Sequence, residues 1–301
     1  MKLLSKLMLL AVLIATTAQA EQTFKPFVLA STEPADFTET LEKTRSNLEN
    51  AGFTVIGEYS PFADHTLLIV TNDEALKVAS MSKRGAYGAP QRISVSKHGE
   101  EVEVSYANPL YFEKAYWLKG SLAEVDNKLR ETLGYIKEFG SEEGLTAKKL
   151  KKYHYMFSMP YFDDPYEYDE YDSYEQAVSE VEKRLNTEGD PLSLVYKLEI
   201  PGTNMTLFGV QMKATGKDED EEDLDEKYQM SIVDFERPAK TAYFPYEILV
   251  NNNEVEALHM KFRMALYFPD LPMTGAHGFT KLMSSPGEID DAFEELIEDY
   301  R

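Results

Sequence analysis

Histidine and methionine side chains that lie close together along a chain can provide ligands for a soft metal ion such as copper. Six residues could act in this way, in two groups: His154 and Met156 in one, and His259, Met260, Met264 and His277 in the other. If the first group is a strand, alternation places Met156 on the same face as His154. Methionine is also a frequent filler of protein cores, and ordinary packing is the interpretation we favour for both groups, with copper binding as the alternative.

Catalytic signatures with a fixed local spacing are absent from this sequence. It contains no G-x-S-x-G elbow, H-E-x-x-H helix, Walker loop or G-x-G-x-x-G turn, and it has no cysteine to act as a nucleophile. A Ser-His-carboxylate site needs no close spacing along the chain, so a hydrolytic enzyme with a dispersed site is left as an alternative. We expect no bound cofactor.

Tyrosines interleave with acidic residues in one stretch near the middle of the chain. The tyrosines are Tyr161, Tyr166, Tyr168, Tyr171 and Tyr174. Because a tyrosine has an apolar face and a polar tip, the stretch can dock against both halves of the chain or recognise a basic protein partner. Docking is the interpretation we favour, since a linker must bury something to fix two halves.

An acidic run at residues 218–223 has the alternating carboxylates of a calcium-binding loop. The rest of that pattern fails, because position six would be Asp223 instead of glycine and position twelve would be Gln229 instead of glutamate. A solvated surface loop over residues 216–226 is therefore expected.

The N-terminus has the pattern of a secretory signal peptide. Lys2 and Lys6 precede an apolar stretch over residues 7–15, and Ala18-Gln19-Ala20 is a small-x-small cleavage site. We expect cleavage after Ala20 and a periplasmic protein. The apolar stretch is too short for a membrane-spanning helix, and no later segment is long enough, so no stable membrane insertion is expected.

The charge balance excludes some partners. The chain has 31 Lys and Arg against 53 Asp and Glu, a formal net charge of −22. Binding to nucleic acid or to anionic lipid relies on Lys and Arg neutralising phosphates, so this overall charge disfavours both. A small ligand or a basic protein partner fits better, although excess acid also simply keeps an exported protein soluble.

Periodicity and capping patterns predict similar elements in the two halves of the chain. The first half reads as a helix over 37–51, strands over 53–59 and 65–71, a helix over 72–83, a hairpin of strands 92–96 and 102–106, a loop over 108–112 and a helix over 121–139. The second reads as a helix over 173–186, strands over 194–200 and 205–212, strands over 246–250 and 255–262, and a helix over 285–299.

Short matches connect the two halves. Thr66-Leu67 corresponds to Thr206-Leu207, and Leu110-Tyr111-Phe112 corresponds to Leu266-Tyr267-Phe268 with a longer spacing. The extra residues fall between 213 and 237, as an insertion in a surface loop would. We interpret the chain as a tandem duplication of one α+β unit, each with about four strands packed on two or three helices. The expected segments are a signal peptide over 1–20, a first domain over 21–145, a connector over 146–173 and a second domain over 174–301.

The first domain resembles a known family. The helix end at residues 48–55, the apolar strand Leu67 to Val70, the hairpin around Gly99 and the turn at residues 106–109 resemble the DUF302 family, over residues 36–117. The resemblance implies a small α/β domain that tends to pair with a copy of itself, and the second half, as a diverged copy, would make the chain a pseudo-dimer. It implies no catalytic residues.

These observations together favour a non-catalytic protein that binds a ligand or partner in the periplasm. Clefts between domains commonly form pockets, so we expect the ligand between the two halves. The hydrolytic enzyme and the copper-binding protein are the alternatives.

Overall fold

A computed structural model describes residues 21–217 and 220–298 of the chain. The predicted signal peptide over 1–20 and two residues of the acidic run, 218 and 219, lie outside the described residues. Among the described residues, no helix combines the length and the apolar character needed to cross a membrane.

The first half is built around a six-stranded antiparallel sheet. Its elements are β1 (Thr23–Phe24), β2 (Phe27–Pro34), α1 (Phe37–Asn50), β3 (Thr54–Phe62), β4 (His65–Thr71), α2 (Asp73–Ser80), a 3-10 turn (Gly85–Gly88), β5 (Gln91–His98), β6 (Glu101–Ala107), α3 (Pro109–Ala115), α4 (Ala123–Leu133), β7 (Lys137–Phe139), β8 (Leu145–Thr146) and α5 (Ala147–Leu150). The strand order in the sheet is β3-β4-β5-β6-β2-β7, and β1 pairs separately with β8.

The second half is built around a five-stranded antiparallel sheet. Its elements are β9 (Tyr166–Glu170), α6 (Tyr174–Leu185), β10 (Leu192–Glu199), β11 (Met205–Met212), a 3-10 turn (Asp220–Asp223), α7 (Glu226–Val233), a 3-10 turn (Thr241–Tyr243), β12 (Tyr246–Asn251), β13 (Glu254–Ala257), α8 (Met260–Tyr267), a 3-10 turn (Phe279–Leu282) and α9 (Ser285–Glu298). The strand order is β10-β11-β12-β13-β9.

The two sheets have the same strand order when the elements are compared one by one. The order β3-β4-β5-β6-β2 of the first half corresponds to β10-β11-β12-β13-β9 of the second. Two antiparallel sheets packed with helices confirm the α+β fold class. The common order is what a tandem duplication would produce, but the duplication itself stays a prediction.

The run of apolar residues in β4 has a simple structural reason. Leu68 and Val70 pack beneath α1 and α4, whereas Leu67 and Ile69 point to the opposite face and join the core shared with the second half. Alternate residues of a strand face opposite sides, so a strand that is buried on both faces is apolar throughout. In the second half, α6 and α9 contact their own sheet as α1 and α4 contact theirs. Two sheets therefore face each other, with α1 and α4 on the outer face of one and α6 and α9 on the outer face of the other.

Each sheet has more strands than the four expected, because β2 and β7 of the first sheet and β9 of the second were not predicted. β2 joins the first sheet beside β6, and β9 joins the second beside β13. Since β9 lies within residues 166–170, part of the predicted connector over 146–173 belongs to the second sheet, and the second unit begins before residue 174. The helix expected over 121–139 is wrong in its second part, since α4 ends at Leu133 before Gly134, whose φ is positive, and β7 follows.

Three helices also differ from the sequence prediction. The expected loop at 108–112 is α3, because Asn108 caps it and Pro109 fits its first turn. The expected strand over 255–262 ends at Ala257, and α8 follows, buried on most sides so that its helical period is hidden. α7 forms within the segment expected to be an inserted loop, where Asp225 caps its N-terminus.

Candidate functional site

The two halves exchange equivalent contacts across their shared core. The turn Gly85–Gly88 of the first half lies against β11 and β12, and the turn Thr241–Tyr243 of the second half lies against β4, β5 and β6. A surface that contacts its counterpart in this reciprocal way is the kind found in twofold-symmetric dimers.

A buried ion pair joins the two sheets at the centre of this core. Arg92, the second residue of β5, donates from Nη2 to Oε1 of Glu247, the second residue of β12. The hydroxyl of Tyr196 donates to the same oxygen at 2.6 Å. Both charged side chains are almost completely buried. Gly209 makes room for the tyrosine, because a Cβ there would lie 2.1 Å from Cε1 of Tyr196.

A second buried arginine is held by carbonyls and aromatic rings. Arg263 on α8 donates from Nη2 to the carbonyl oxygens of Tyr243 and Pro245, at 2.6 and 2.5 Å. Its guanidinium carbon lies 4.2 Å from the ring centre of Tyr246 and 5.4 Å from that of Tyr267. Cation–π contact of this kind stabilises a desolvated charge.

Two further arginine–glutamate pairs connect the halves in reciprocal directions. Arg84 of the first half donates from Nε to both carboxylate oxygens of Glu256, at 2.7 and 2.9 Å. Arg237 of the second half donates from Nε to Oε1 of Glu103 at 2.7 Å. Glu103 is the third residue of β6 and Glu256 the third residue of β13. The arginines and the glutamates are each 153 positions apart, so the two contacts are equivalent in the two halves.

A glutamate at the start of α7 also meets the first half. The hydroxyl of Tyr59 on β3 donates to Oε1 of Glu226 at 3.2 Å, and the amide of Met212 donates to the same oxygen at 3.4 Å. Burial raises the pKa of Glu226 well above its ordinary value, because desolvation disfavours a charged carboxylate.

An open groove lies along one side of the boundary between the halves. It has two parts, which meet at residues 235–237 of the segment between α7 and the turn Thr241–Tyr243. We name them the histidine chamber, with a volume of about 360 Å³, and the lysine chamber, with about 540 Å³. Volumes of this size suit small organic ligands. Side chains from both halves line each chamber, and together they form the inter-half groove.

The histidine chamber has ring-bearing side chains on its wall from β3, β4 and β5. The ring of His65 lies 4.5 Å from that of Phe62 and 5.5 Å from that of His98. Nδ1 of His65 is 2.8 Å from Oγ1 of Thr241, so this ring is held by the other half. Desolvation and the neighbouring His98 lower the pKa of His65 to about 4, and its imidazole is therefore neutral at physiological pH.

The opposite wall of the histidine chamber comes from α7 and the segment after it. Lys227, Ser231 and Phe235 line it, and the ring of Phe235 stacks on His277 at 4.0 Å. Asp234 fixes the segment, because its Oδ2 accepts a hydrogen bond from the amide of Lys240 at 2.8 Å. Burial raises the pKa of Asp234 to about 6, against the lowering effect of Lys240.

The lysine chamber is bounded by the loop that follows β7. Asp270 of the second half accepts a hydrogen bond from the amide of Glu142 at 2.5 Å, which ties the loop across the boundary. Nζ of Lys25 donates to the carbonyl oxygen of Glu142 at 2.9 Å. Because a carbonyl oxygen carries no net charge, this contact does not neutralise the positive charge of Lys25. Lys137 is exposed at the chamber wall.

The groove as a whole has equal numbers of basic and acidic side chains on a strongly acidic protein. The basic residues are Lys25, Lys137, Lys227, Arg237 and Lys240, and the acidic ones are Glu138, Glu142, Asp234, Glu236 and Asp270. Several of the acidic groups are held by protein donors, so the groove repels an anion less than the surrounding surface does. Flat rings and lysines together suit a planar anionic molecule.

Three hydroxyls belong to the groove or its wall, those of Ser141, Ser231 and Thr241, and that of Ser141 donates to Oδ1 of Asp270 at 3.4 Å. Thr241 is the hydroxyl that bonds a histidine there, but it is completely buried and beyond the reach of a substrate. Ser231 lines the groove, and its hydroxyl donates to the carbonyl of Tyr228 at 2.6 Å instead of to a base.

The histidines predicted as possible copper ligands have other partners. Nδ1 of His154 lies 2.8 Å from the carbonyl oxygen of Met156, Nδ1 of His259 accepts the amide of Lys261, and Nδ1 of His277 lies 3.0 Å from the carbonyl oxygen of Ile232. Met260 and Met264 are buried in the core. Within residues 21–217 and 220–298, no three His, Cys, Asp or Glu side chains are grouped to hold a metal ion. Thioether ligands stay untested, so copper binding stays a prediction.

The tyrosines of the acidic stretch mostly contact the second half. Tyr166 donates to the carbonyl of Pro286 at 3.1 Å, and Tyr171 donates to that of Ile297 at 3.3 Å. Tyr174 bonds Thr206 with 2.6 Å between their oxygens, and the ring of Tyr168 meets Phe293 edge-on. Tyr161 is the exposed one. Binding of a basic partner by these tyrosines stays a prediction.

The groove histidines and the buried ion pairs were not predicted. One signal in the sequence could have indicated the buried ion pair, namely a charged residue within an apolar strand, as at Arg92 in β5 and Glu247 in β12. Such residues are buried only when they are paired. Nothing in the sequence marked His65 or His98, which become neighbours only through strand pairing.

Comparisons with protein-family models, with curated proteins and with solved structures find no match to this chain. The resemblance of residues 36–117 to the DUF302 family is therefore neither supported nor contradicted and stays a prediction.

Proposed function

We propose that this chain is a non-catalytic binding protein of the periplasm that holds a small planar anion in the inter-half groove. The observation that carries the proposal is the groove itself, in which both halves contribute walls to two adjacent chambers of ligand size that share residues 235–237. The N-terminal pattern of residues 1–20 supports the periplasmic location.

The chemistry of the walls supports an anion with a ring. Phe62 and Phe235 offer flat apolar faces in the histidine chamber, and neutral His65 adds a third ring without adding charge. Lys227 and Lys137 are exposed at the two chambers, and neither forms an ion pair with a carboxylate of the described residues. A carboxylate or phosphate on the ligand can meet these lysines.

We also propose that the two halves are diverged copies that pair as a pseudo-dimer within one chain. Their common strand order supports this, and so do the reciprocal contacts of Arg84 with Glu256 and of Arg237 with Glu103. In a twofold-symmetric dimer, a residue and its partner exchange roles across the axis, and these two pairs do so with the same spacing of 153 positions.

The binding proposal is tested by thermal unfolding with a panel of aromatic carboxylates, phosphates and copper. A ligand that binds the folded state raises the midpoint by mass action, so at least one planar anion should do so. Ser231→Trp places a large ring in the histidine chamber from an exposed helical position and should abolish the shift. The matched control is Ser46→Trp, at an exposed position of α1 outside the groove.

The outcomes separate the candidate functions. If no planar anion shifts the midpoint, or if Ser231→Trp leaves the shift unchanged, the groove is not the binding site. A shift with copper alone would favour the histidine and methionine alternative.

A further inference from the structure

A cluster of lysines stands out on this acidic chain. Lys148, Lys149, Lys151 and Lys152 lie on α5 and in the turn after it, and all four are exposed. No Asp or Glu occurs between residues 144 and 162. None of the four lysines forms an ion pair with a carboxylate of the described residues. The cluster is therefore locally basic, although the chain has a net charge of −22.

The most exposed phenylalanine of the described residues lies five positions after this cluster. Phe157 is 94% exposed, and its neighbours Met156 and Tyr161 are 42% and 38% exposed. A large apolar side chain that is almost fully in water is unusual, and several together mark a surface that meets something apolar.

The loop that presents Phe157 is anchored to the second half by the residues that precede it. The hydroxyl of Tyr153 donates to the carbonyl of Ala265 at 2.7 Å, and that of Tyr155 donates to the carbonyl of Leu271 at 3.2 Å. The ring of His154 lies tilted against that of Tyr161, with 4.3 Å between the ring centres. These contacts bind the loop to the second half, so the exposure of Phe157 is a feature of the folded protein.

We propose that residues 148–161, which we call the Lys/Phe segment, bind the surface of an anionic lipid bilayer. Lysines near such a surface are attracted to acidic headgroups, and each is worth about a fivefold gain in affinity. Phe157 and Met156 enter the boundary between headgroups and acyl chains, as the apolar face of an interfacial segment does. Basic and apolar side chains side by side match this one partner chemically.

The acidic remainder of the protein does not prevent this binding. Charges further away than a Debye length, about 8 Å at physiological ionic strength, are largely screened. The four lysines and Phe157 lie within a short stretch of chain, and acidic residues resume only at Asp163. In space, Asp270 acts electrostatically on Tyr153, and Asp164 accepts a hydrogen bond from the amide of Tyr161. The four lysines outnumber these carboxylates, so the face stays locally basic, which qualifies the expectation drawn from the overall charge.

The test measures co-sedimentation of the purified protein with vesicles. An intact-mass measurement first establishes that residues 1–20 have been removed, since an apolar N-terminus would itself bind lipid. Vesicles of equal parts phosphatidylglycerol and phosphatidylcholine should retain the protein at low salt and lose it as salt rises, and pure phosphatidylcholine should not retain it.

Variants assign the binding to the Lys/Phe segment. Replacing its four lysines with glutamine should weaken binding by up to about 600-fold, because each contributes about fivefold and the four effects multiply. The matched control replaces four other exposed lysines, namely Lys43, Lys77, Lys119 and Lys281, and should leave binding within about twofold. Phe157→Ser should weaken binding about fivefold, whereas Met283→Ser, at another exposed apolar position, should not.

A fluorescent variant reports depth and guards against misfolding. Phe157→Trp should show a blue shift and quenching by bromine-labelled lipid, whereas the native Trp117, the one tryptophan of the chain, should not. Because position 157 is exposed, its substitution leaves thermal unfolding unchanged.

Absence of binding to the acidic vesicles, or binding that the lysine variant leaves unchanged, overturns the proposal. Lysine-dependent self-association without vesicle binding also overturns it, in favour of the acidic surface of a second copy.

Discussion

The buried ion pair between Arg92 and Glu247 leads to a prediction about the free energy of unfolding. Removal of one partner leaves a desolvated charge, so Arg92→Met should reduce the free energy of unfolding by about 3–5 kcal/mol. That is a large part of the roughly 5–15 kcal/mol available to a typical protein. Replacement of both partners removes the stranded charge.

Tyr196 determines how completely the loss is recovered. In Arg92→Met/Glu247→Leu its hydroxyl loses the acceptor that it has at 2.6 Å. A buried unpaired hydroxyl costs about 1–3 kcal/mol, so the double variant should stay below the native protein by that amount. Addition of Tyr196→Phe removes the hydroxyl, and the triple variant should return to within about 1 kcal/mol of the native protein.

The assay is equilibrium unfolding in guanidinium chloride, followed by circular dichroism and by fluorescence of Trp117. Trp117 packs edge-on against Phe162, with 5.4 Å between ring centres, so its emission reports local structure near the boundary. Agreement of the two probes tests for a single transition. Arg45→Met is the control, because Arg45 and Glu58 form a more exposed pair worth less than about 1 kcal/mol. If Arg92→Met costs no more than Arg45→Met, or if the triple variant is no more stable than Arg92→Met, the reasoning is refuted.

Three further predictions follow from titration and burial. The pKa of folded His65, about 4, lies below its unfolded value of 6.5, so the unfolded chain binds the proton first and stability falls as pH drops through this window. His65→Gln should remove up to about 3 kcal/mol of that pH dependence, measured as unfolding midpoints at several pH values. Burial raises the pKa of Glu226, so stability falls as pH rises above about 4.5, and Glu226→Gln should be the more stable protein at neutral pH in the same measurement. Arg84→Ala should cost more unfolding free energy than Arg237→Ala, because Glu103 keeps an amide donor at 3.1 Å whereas Glu256 keeps no hydrogen bond among the described residues.

Local patterns in the sequence were enough to predict most helices and central strands. Asn72 and Ser173 cap α2 and α6 where the sequence indicated a start, and β4 covers the expected residues 65–71. These elements form for reasons that lie within a few residues, namely a capping side chain or an apolar run. β9 lacked such a signal, because its acidic sequence suits the edge of a sheet and is not apolar.

A cleft between the halves was expected, but the residues that line the groove could not be predicted, because their positions depend on long-range contacts. His65 meets Thr241 across 176 positions of sequence, and Glu103 meets Arg237 across 134. No local period or motif encodes such pairings. The same holds for the pKa of His65, which depends on its burial and on His98, a neighbour only through strand pairing.

Equivalent positions in the two halves agree where they hold the molecule together and differ at the groove. Arg84 and Arg237 each pair with a glutamate of the opposite half. His98, by contrast, corresponds to Asn251 at the same spacing of 153, and Asn251 donates to the carbonyl of Lys83 at 3.3 Å instead of facing a chamber. In two copies related by a twofold axis, a contact that joins the copies needs its residues at both equivalent positions, whereas a single binding site needs its residues at only one of them. If the halves arose by duplication, their differences at His98 mark the groove as the place where one side acquired a role of its own.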